Sequence, residues 1–477
     1  LAAATESRDF FATSIPLDSY NIDRVEVNRG ANSVLFGTGS PAGIVNSSLK
    51  QAKMQDSHEV ETRYATYGSF RGSFDFNRQL IKGQLALRVA ALQKRQKFEQ
   101  EFAFADDERL FATLTYQPRW ARTRSGVLSG TVLRANFETG SSDSRRPRTL
   151  PPSDRISGWF VPWFAAYPAK FAYDAGGPTP GGGIAAQTTV LHFRNPSVIF
   201  ANPASTQPGS GSRAPTGEEI VGRQGVLSSL QVPPGPVRTA FFSSAPDMLI
   251  AAGAVPDNAY YLRPTLSDPS IFDFRGKLID GPNRFEYSDF EAFQVALEQR
   301  FFKNRAGIEL TFDRQNYTRG SSALISSARQ TELSIDNSLT LLDGTPNPNF
   351  GRPFVTGVWT NAYAQDQGQT FRATGYYRLN FDEIASHRRL AWLGRHIFTF
   401  LHEDGRYRSR SLAGDRFLSG TDYVYGNNQL ITDANGGRFT RLHYLGPSLA
   451  GANTAAGADI PGLSALHLPT ASLGGTF

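Results

Sequence analysis

Nine segments of the chain alternate apolar and polar residues with a period of two, and that alternation sets the tightest limit on its fold. A strand whose side chains point alternately to opposite faces reads this way, and a helix does not. The segments are 58–66, 70–77, 84–93, 110–117, 127–138, 287–301, 308–317, 370–381 and 397–408. In one, Phe293, Val295 and Leu297 alternate with Gln294, Glu298 and Arg300; in another, Ile308, Leu310 and Phe312 alternate with Glu309, Thr311 and Asp313. Each is close to the ten or so residues that a tilted membrane-crossing strand needs. A soluble sandwich hides its apolar face in a core. In a membrane wall that face meets lipid and the charged face lines a lumen.

The connections favour the wall. Residues 78–83, 118–126 and 302–307 are tight, basic turns, whereas their alternating partners 97–109, 139–286 and 318–369 are long. Membrane barrels carry short turns on one rim and long loops on the other, which gives this parity. Residues 67–69 depart from it, being short on the long-loop side. No apolar run approaches the 18 or so residues of a transmembrane helix, which a β-wall does not require. The chain has no cysteine, so disulfide and thiolate chemistry are excluded. Its formal charge of +6 over 477 residues suits a mixed solvated surface. No H-E-x-x-H or G-x-S-x-G occurs, the seven His are scattered with His396 and His402 nearest, and the run around Asp433 is too incomplete for a calcium loop. No catalytic constellation, cofactor site or metal site is expected.

The stretch from Asn21 to Lys50 stands apart. Residues 24–28 and 44–49 read as short strands around a turn region. There Gly30, Gly37, Gly39 and Gly43 supply positions of positive φ or close approach, and Pro41 fixes a turn. The spacing Gly37-x-Gly39-x-x-x-Gly43 matches neither the dinucleotide fingerprint nor the Walker loop, and no helical period follows it. In order, Arg24, Val25, Glu26, Val27, Arg29, Gly30, Ser33, Leu35, Phe36, Gly37, Gly39, Gly43, Val45, Asn46 and Lys50 reproduce a fixed pattern. It resembles the end of the plug domain of TonB-dependent outer-membrane receptors. Ala42 replaces a usual Gly, Ala31-Asn32 a commoner Pro-Ser, and Ser47-Ser48-Leu49 an apolar-plus-Thr step. Residues 343–355 resemble receptor loop text more weakly.

The resemblance implies a partial, antiparallel, all-β membrane barrel (55–477) following the C-terminal part of a small α/β plug (1–54). Long extracellular loops are expected at about 139–286, 318–369 and 409–477. Family barrels close with roughly 22 strands, so the chain is expected to continue beyond both ends. The implied function is TonB-dependent import of a scarce ligand across the Gram-negative outer membrane, with iron–siderophore complexes the commonest cargo. Carbohydrate or cobalamin import is the alternative, as is a non-transporting adhesin or structural barrel. Implied partners are the TonB energy-coupling complex, a small-molecule ligand, and outer-membrane lipid with lipopolysaccharide; no nucleic acid is expected, and the protein is expected to be a monomer. Arg24, Glu26 and Arg29 are expected either to pair with lumen groups such as Glu298, Arg300, Glu309 and Asp313, or simply to satisfy plug turns. Arg145, Arg146, Arg148, Trp159 and Trp163 form either a ligand-facing surface or loop packing with an interfacial aromatic belt.

Overall fold

The computed structural model describes residues 5–28, 43–121, 123, 126–154, 156–160, 197–199, 219–221, 238–240, 265–325, 331–335, 348–357, 360–381, 392, 394–415 and 440–465. The chain opens on four short strands, β1 (Thr5–Arg8), β2 (Phe11–Ala12), β3 (Ile22–Asn28) and β4 (Ile44–Leu49). They make one sheet in the order β2-β1-β4-β3, with β1 and β4 parallel. Among the described residues this plug portion contains strands and no helix. Asp9 and Phe10 form the two-residue tip between β1 and β2, both with positive φ (45° and 68°), as a mirror-image hairpin turn demands. Phe10 pays for that backbone in strain, and its surroundings hold it there. Its amide donates to Asn46 Oδ1 (2.8 Å), and its carbonyl accepts from Arg372 (2.8 Å).

The wall begins with β5 (Ser57–Ala65), β6 (Ser69–Ile81), β7 (Leu85–Lys97), β8 (Phe104–Tyr116) and β9 (Leu128–Arg145). A long excursion then carries the short strands β10 (Ser153–Asp154), β11 (Ser197–Ile199), β12 (Glu219–Val221) and β13 (Arg238–Ala240). The wall resumes with β14 (Arg284–Phe301) and β15 (Ala306–Ala323); β16 (Glu332–Ile335) and β17 (Pro353–Gly357) precede β18 (Thr360–Asn380), β19 (Arg395–Asp415) and β20 (Thr440–Tyr444). Nine of these form one antiparallel sheet, ordered β19-β18-β15-β14-β9-β8-β7-β6-β5. Among the described residues β5 and β19 are each paired on one side, so the wall is an open sheet.

The wall's polarity is the inverse of a soluble protein's. Phe312 is 40% exposed while its neighbour Asp313 is 5% exposed. Phe74 and Phe76, Leu110, Phe137, and Phe293 with Leu297 likewise look outward. Asp75, Arg88, Arg109, Glu138 and Arg372 are buried on the other face. The register keeps each face coherent: Val295 stands opposite Phe312 and Leu297 opposite Leu310. An exposed apolar band and a buried charged face are stable only with lipid outside and a polar filling inside. The plug is that filling.

On the long-loop rim the strands continue past the expected positions, β9 to Arg145 and β19 to Asp415. Above them the loops are folded rather than loose. β10, β16, β17, β20 and β12 form a second sheet. Ile156, Leu266, Phe272, Ile279, Leu333 and Ile335 belong to a fully buried cluster beneath it, joined by Val355, Leu445 and Ile460. Three separate loops therefore share one hydrophobic core.

Candidate functional site

The plug meets the wall through charge. Arg8 at the end of β1 pairs with Glu138 of β9, their side chains 4% and 2% exposed. Glu138 also accepts from the Tyr20 hydroxyl at 2.6 Å. Lower down, Lys50 and Arg88 share Asp75 (2.9 and 2.6 Å), and Lys50 also donates to the Tyr20 carbonyl at 2.8 Å. Arg71 clasps Asp18 with both terminal nitrogens (2.7 and 3.0 Å), while Arg109 donates to the Pro16 carbonyl. Arg372 stacks over Phe11 with 4.2 Å to the ring centroid and is held by Glu403 at 2.6 Å. These pairs join plug loops to five different wall strands. Each charge would cost several kcal/mol if left buried alone.

Burial and partners set the plug's protonation. Burial against the wall raises the Asp9 carboxyl to about 6, an effect that the Leu49 amide and the Arg8 guanidinium offset in part. Burial, with the neighbouring Glu138 carboxylate, raises the Tyr20 phenol above its ordinary value and keeps it a donor. Burial also works against the Asp18 carboxylate, but the Arg71 guanidinium and the Tyr20 amide overcome it and hold Asp18 below its usual range.

Above this interface the lumen holds a cavity of about 440 Å³, whose lining mixes Arg284, Glu286 and Arg319 with serines and the aromatic residues Phe285, Tyr287, Tyr317 and Tyr363. Its floor touches the plug: Tyr317 packs in one cluster with Ile15, Phe290 and Ala292. Thr13 Oγ1 donates to Gln315 at 2.6 Å, and Ser14 lies 3.4 Å from the Tyr407 hydroxyl. Asp366 ties the level together by accepting from Arg319 (3.1 Å) and Ser409 (2.7 Å).

The motif residues within the described part have structural work. Gly43 sits at φ 109°, which an L side chain rarely adopts, and its carbonyl accepts from the Thr5 amide. Asn46 is fully buried and staples β4 to the β1–β2 tip through Phe10 and Ser7. Arg29, Gly30, Ser33, Gly37 and Gly39 lie outside the described residues.

Of the two expectations for Arg24 and Glu26, pairing with lumen groups or serving the plug itself, the described contacts follow the second. Arg24 pairs with Glu26 at 3.0 Å on the plug's open side, its own side chain 62% exposed. Glu298 and Glu309 instead both bind Arg134 (2.5 and 3.0 Å), and Arg300 leans on Glu298 at 3.3 Å. The register sets Glu298 opposite Glu309 and Arg134 opposite Ala296, so Arg134 reaches diagonally to both carboxylates and the wall neutralises these groups within itself. Asp313 accepts from Gln315 at 2.8 Å. The basic loop cluster disperses too. Arg148, 7% exposed, binds the buried Asp280; Arg145 donates to the Arg284 and Phe102 carbonyls; Arg146, its side chain exposed, lines the lumen cavity beside Glu286 at 3.2 Å. Two of the three arginines therefore bind loops together. Trp163 and the side chain of Trp159 lie outside the described residues.

Sequence reasoning missed Arg8, Tyr20, Arg88, Arg109, Glu138 and Arg372. For the wall residues the signal was available: Arg88, Glu138 and Arg372 are charged within period-two segments, on the face opposite the apolar one, and Arg109 directly precedes another such segment.

No protein-family model matches the chain. The ferrichrome outer membrane transporter/phage receptor of Escherichia coli K12 is 31% identical over 120 residues, which is 22% of this chain and 16% of that protein. The probable TonB-dependent receptor BfrD of Bordetella pertussis is 33% identical over 78 residues, 16% of this chain and 10% of the relative. The matched stretches thus span less than a fifth of either relative. Both are transporters or receptors rather than enzymes by name. Among solved structures, the ferripyoverdine receptor of Pseudomonas aeruginosa covers 91% of this chain at 11% identity, with 40% of its own length matched and a TM-score of 0.44. At that level the likeness decides nothing about ligand or mechanism. The plug text and the lipid-facing antiparallel wall agree with the curated relatives: the chain is similar to TonB-dependent receptors of the Gram-negative outer membrane.

Proposed function

We propose that the complete protein imports an iron–siderophore complex across the outer membrane, driven by the TonB energy-coupling complex. One observation carries the reading. The plug residues Thr13 to Ile15, which contact Gln315 and the cavity-lining Tyr317 of the wall, belong to the same short segment as the groups holding the plug to the wall. A ligand seated on Tyr317 and Arg319 therefore bears on the contacts that keep the passage shut. The relatives' names support a small chelated cargo, and the outward apolar band supports contact with outer-membrane lipid. The protein acts as a monomeric receptor rather than an enzyme in this reading.

The test is uptake of radiolabelled ferric siderophores by cells displaying the complete protein, with and without a working energy coupler. Coupler-dependent accumulation of at least one chelate is the expected result. Accumulation independent of the coupler, or none for any chelate while surface display is normal, overturns the proposal.

A further inference from the structure

We propose that the short-turn rim around the end of β6 binds the headgroup of an anionic phospholipid through Arg78, Lys82 and Arg119. The proposal goes beyond the import reading and does not depend on the cargo. It starts from an arginine on the lipid face. Phe74 and Phe76 look outward from β6, and Arg78 follows them with the same period, exposed and opposite Leu87 of β7. The register slips between Gln79 and Ile81, and Leu80 and Ile81 are then 52% and 47% exposed. Arg78 is thus a cation set among apolar side chains at the foot of the lipid-facing band. Among the described residues it forms no ion pair. A guanidinium placed there keeps its stem on the apolar surface and carries its charge to the interface, where it needs an anion or water.

Two more cations join it. Lys82 is exposed in the β6–β7 turn, and Arg119, exposed in the turn before β9, donates to the Lys82 carbonyl at 3.2 Å. That bond ties the two turns together and gathers the cations on one patch of rim. Among the described residues neither Lys82 nor Arg119 forms an ion pair. The stretches 78–84 and 117–127 contain no Asp or Glu. Asp56, a carboxylate bonded to the first of them, accepts from the Gln79 amide at 2.7 Å. Trp120, next to Arg119, is 80% exposed, as a tryptophan at a membrane interface is. The short turns of such barrels face the periplasm, where the leaflet is phospholipid. Exposed Leu80, Ile81 and Trp120 suit its acyl boundary, and guanidinium and ammonium groups suit its phosphates. Phosphatidylethanolamine brings an ammonium of its own, for which the two stretches offer no carboxylate. Phosphatidylglycerol brings none, so the patch favours the anionic lipid.

The experiment titrates the complete receptor, stripped of lipid in a neutral detergent, with dioleoyl-phosphatidylglycerol and dioleoyl-phosphatidylethanolamine, and counts bound lipid by native mass spectrometry. Each cation beside an anionic lipid contributes about fivefold in affinity. Phosphatidylglycerol is therefore expected to bind about tenfold or more tighter than phosphatidylethanolamine, with an affinity that falls as salt is added. Arg78→Gln combined with Lys82→Gln should weaken phosphatidylglycerol about twentyfold and phosphatidylethanolamine far less. Equal binding of the two lipids by the wild type, or an unchanged phosphatidylglycerol affinity in the double variant, overturns the proposal. So does binding of neither lipid. Displacement of phosphatidylglycerol by inorganic phosphate overturns it too, because that marks a plain anion site. Should the double variant fail to fold, the wild-type salt dependence decides: salt-insensitive binding of phosphatidylglycerol overturns the charge argument. None of these results bears on coupler-dependent uptake.

Discussion

Changing Glu138 to Gln should loosen the plug by more than a hundredfold. The Gln keeps the size of the side chain and an acceptor for Tyr20, so the change isolates one charge. Arg8 is then left 4% exposed without its countercharge. Removing one partner of a buried ion pair costs about 3–5 kcal/mol. Asp9 and Asp313 lie within electrostatic reach of Arg8 and take up part of the load, which places the change at the lower end. About 3 kcal/mol corresponds to more than a hundredfold in the population of the unseated plug. Native-state hydrogen exchange on the complete receptor reads this directly. The Thr5 and Asp9 amides, bonded to Gly43 and Ser47 of β4, should exchange faster by that factor, while wall amides in β8 and β14 stay put. The double variant Arg8→Met with Glu138→Leu removes both charges and should recover most of the loss, because an apolar pair of similar volume fits a buried site without desolvation. Exchange in Glu138→Gln within threefold of wild type would refute the reasoning, as would a double variant looser than the single one.

Other expectations concern pH, loops and lipid. Asp9 has its seated-state pKa raised to about 6 from 3.8, so the protonated plug seats better: that stabilisation is complete below about 3.8 and lost as pH rises through 6. The penalty at pH 7.5 reaches about 3 kcal/mol; hydrogen exchange of the plug, corrected for intrinsic rates, should slow at pH 5, and Asp9→Asn should abolish the difference. Arg148→Met strands the fully buried Asp280, so the shared loop core should open by about 3 kcal/mol; limited chymotrypsin digestion should then cut near Phe272 and Phe274, and an unchanged digest would count against the core. Leu297→Arg on the lipid face should cost about 2–4 kcal/mol in refolding into bilayers, measured by denaturant titration of the complete protein.

The wall was legible in the sequence because a period of two survives any tertiary context: the face carrying Phe293, Val295 and Leu297 had to lie opposite the one carrying Glu298 and Arg300. Partner choice was not legible. Whether Glu298 meets plug Arg24 or wall Arg134 depends on register between distant strands, and alternation within one strand is silent about that. Plug text identified Asn46 and Gly43 but not their duties, since Asn46 serves Phe10, a residue 36 positions away. The loop core was hidden for a different reason. Its apolar residues are contributed a few at a time by stretches such as 266–279, 324–335 and 445–463, so no single window shows a periodic face. Arg148 looked like a member of a basic patch because its buried counterion, Asp280, lies 132 residues away.

The parallel pairing of β1 with β4 has a mechanical side. Thr5 stands beside Ile44 and Arg8 beside Ser47, whereas the chain after β4 is clamped by Asn77, which bonds Lys53 and Gln55. A tug on the backbone ahead of Thr5, resisted at that clamp, slides the two strands lengthwise past each other. The rungs between them are then strained together instead of parting one after another like a zip. Traction along this axis meets its stiffest direction, so yielding would begin at the side-chain bolts around Arg8 and Asp18 before the small sheet tears.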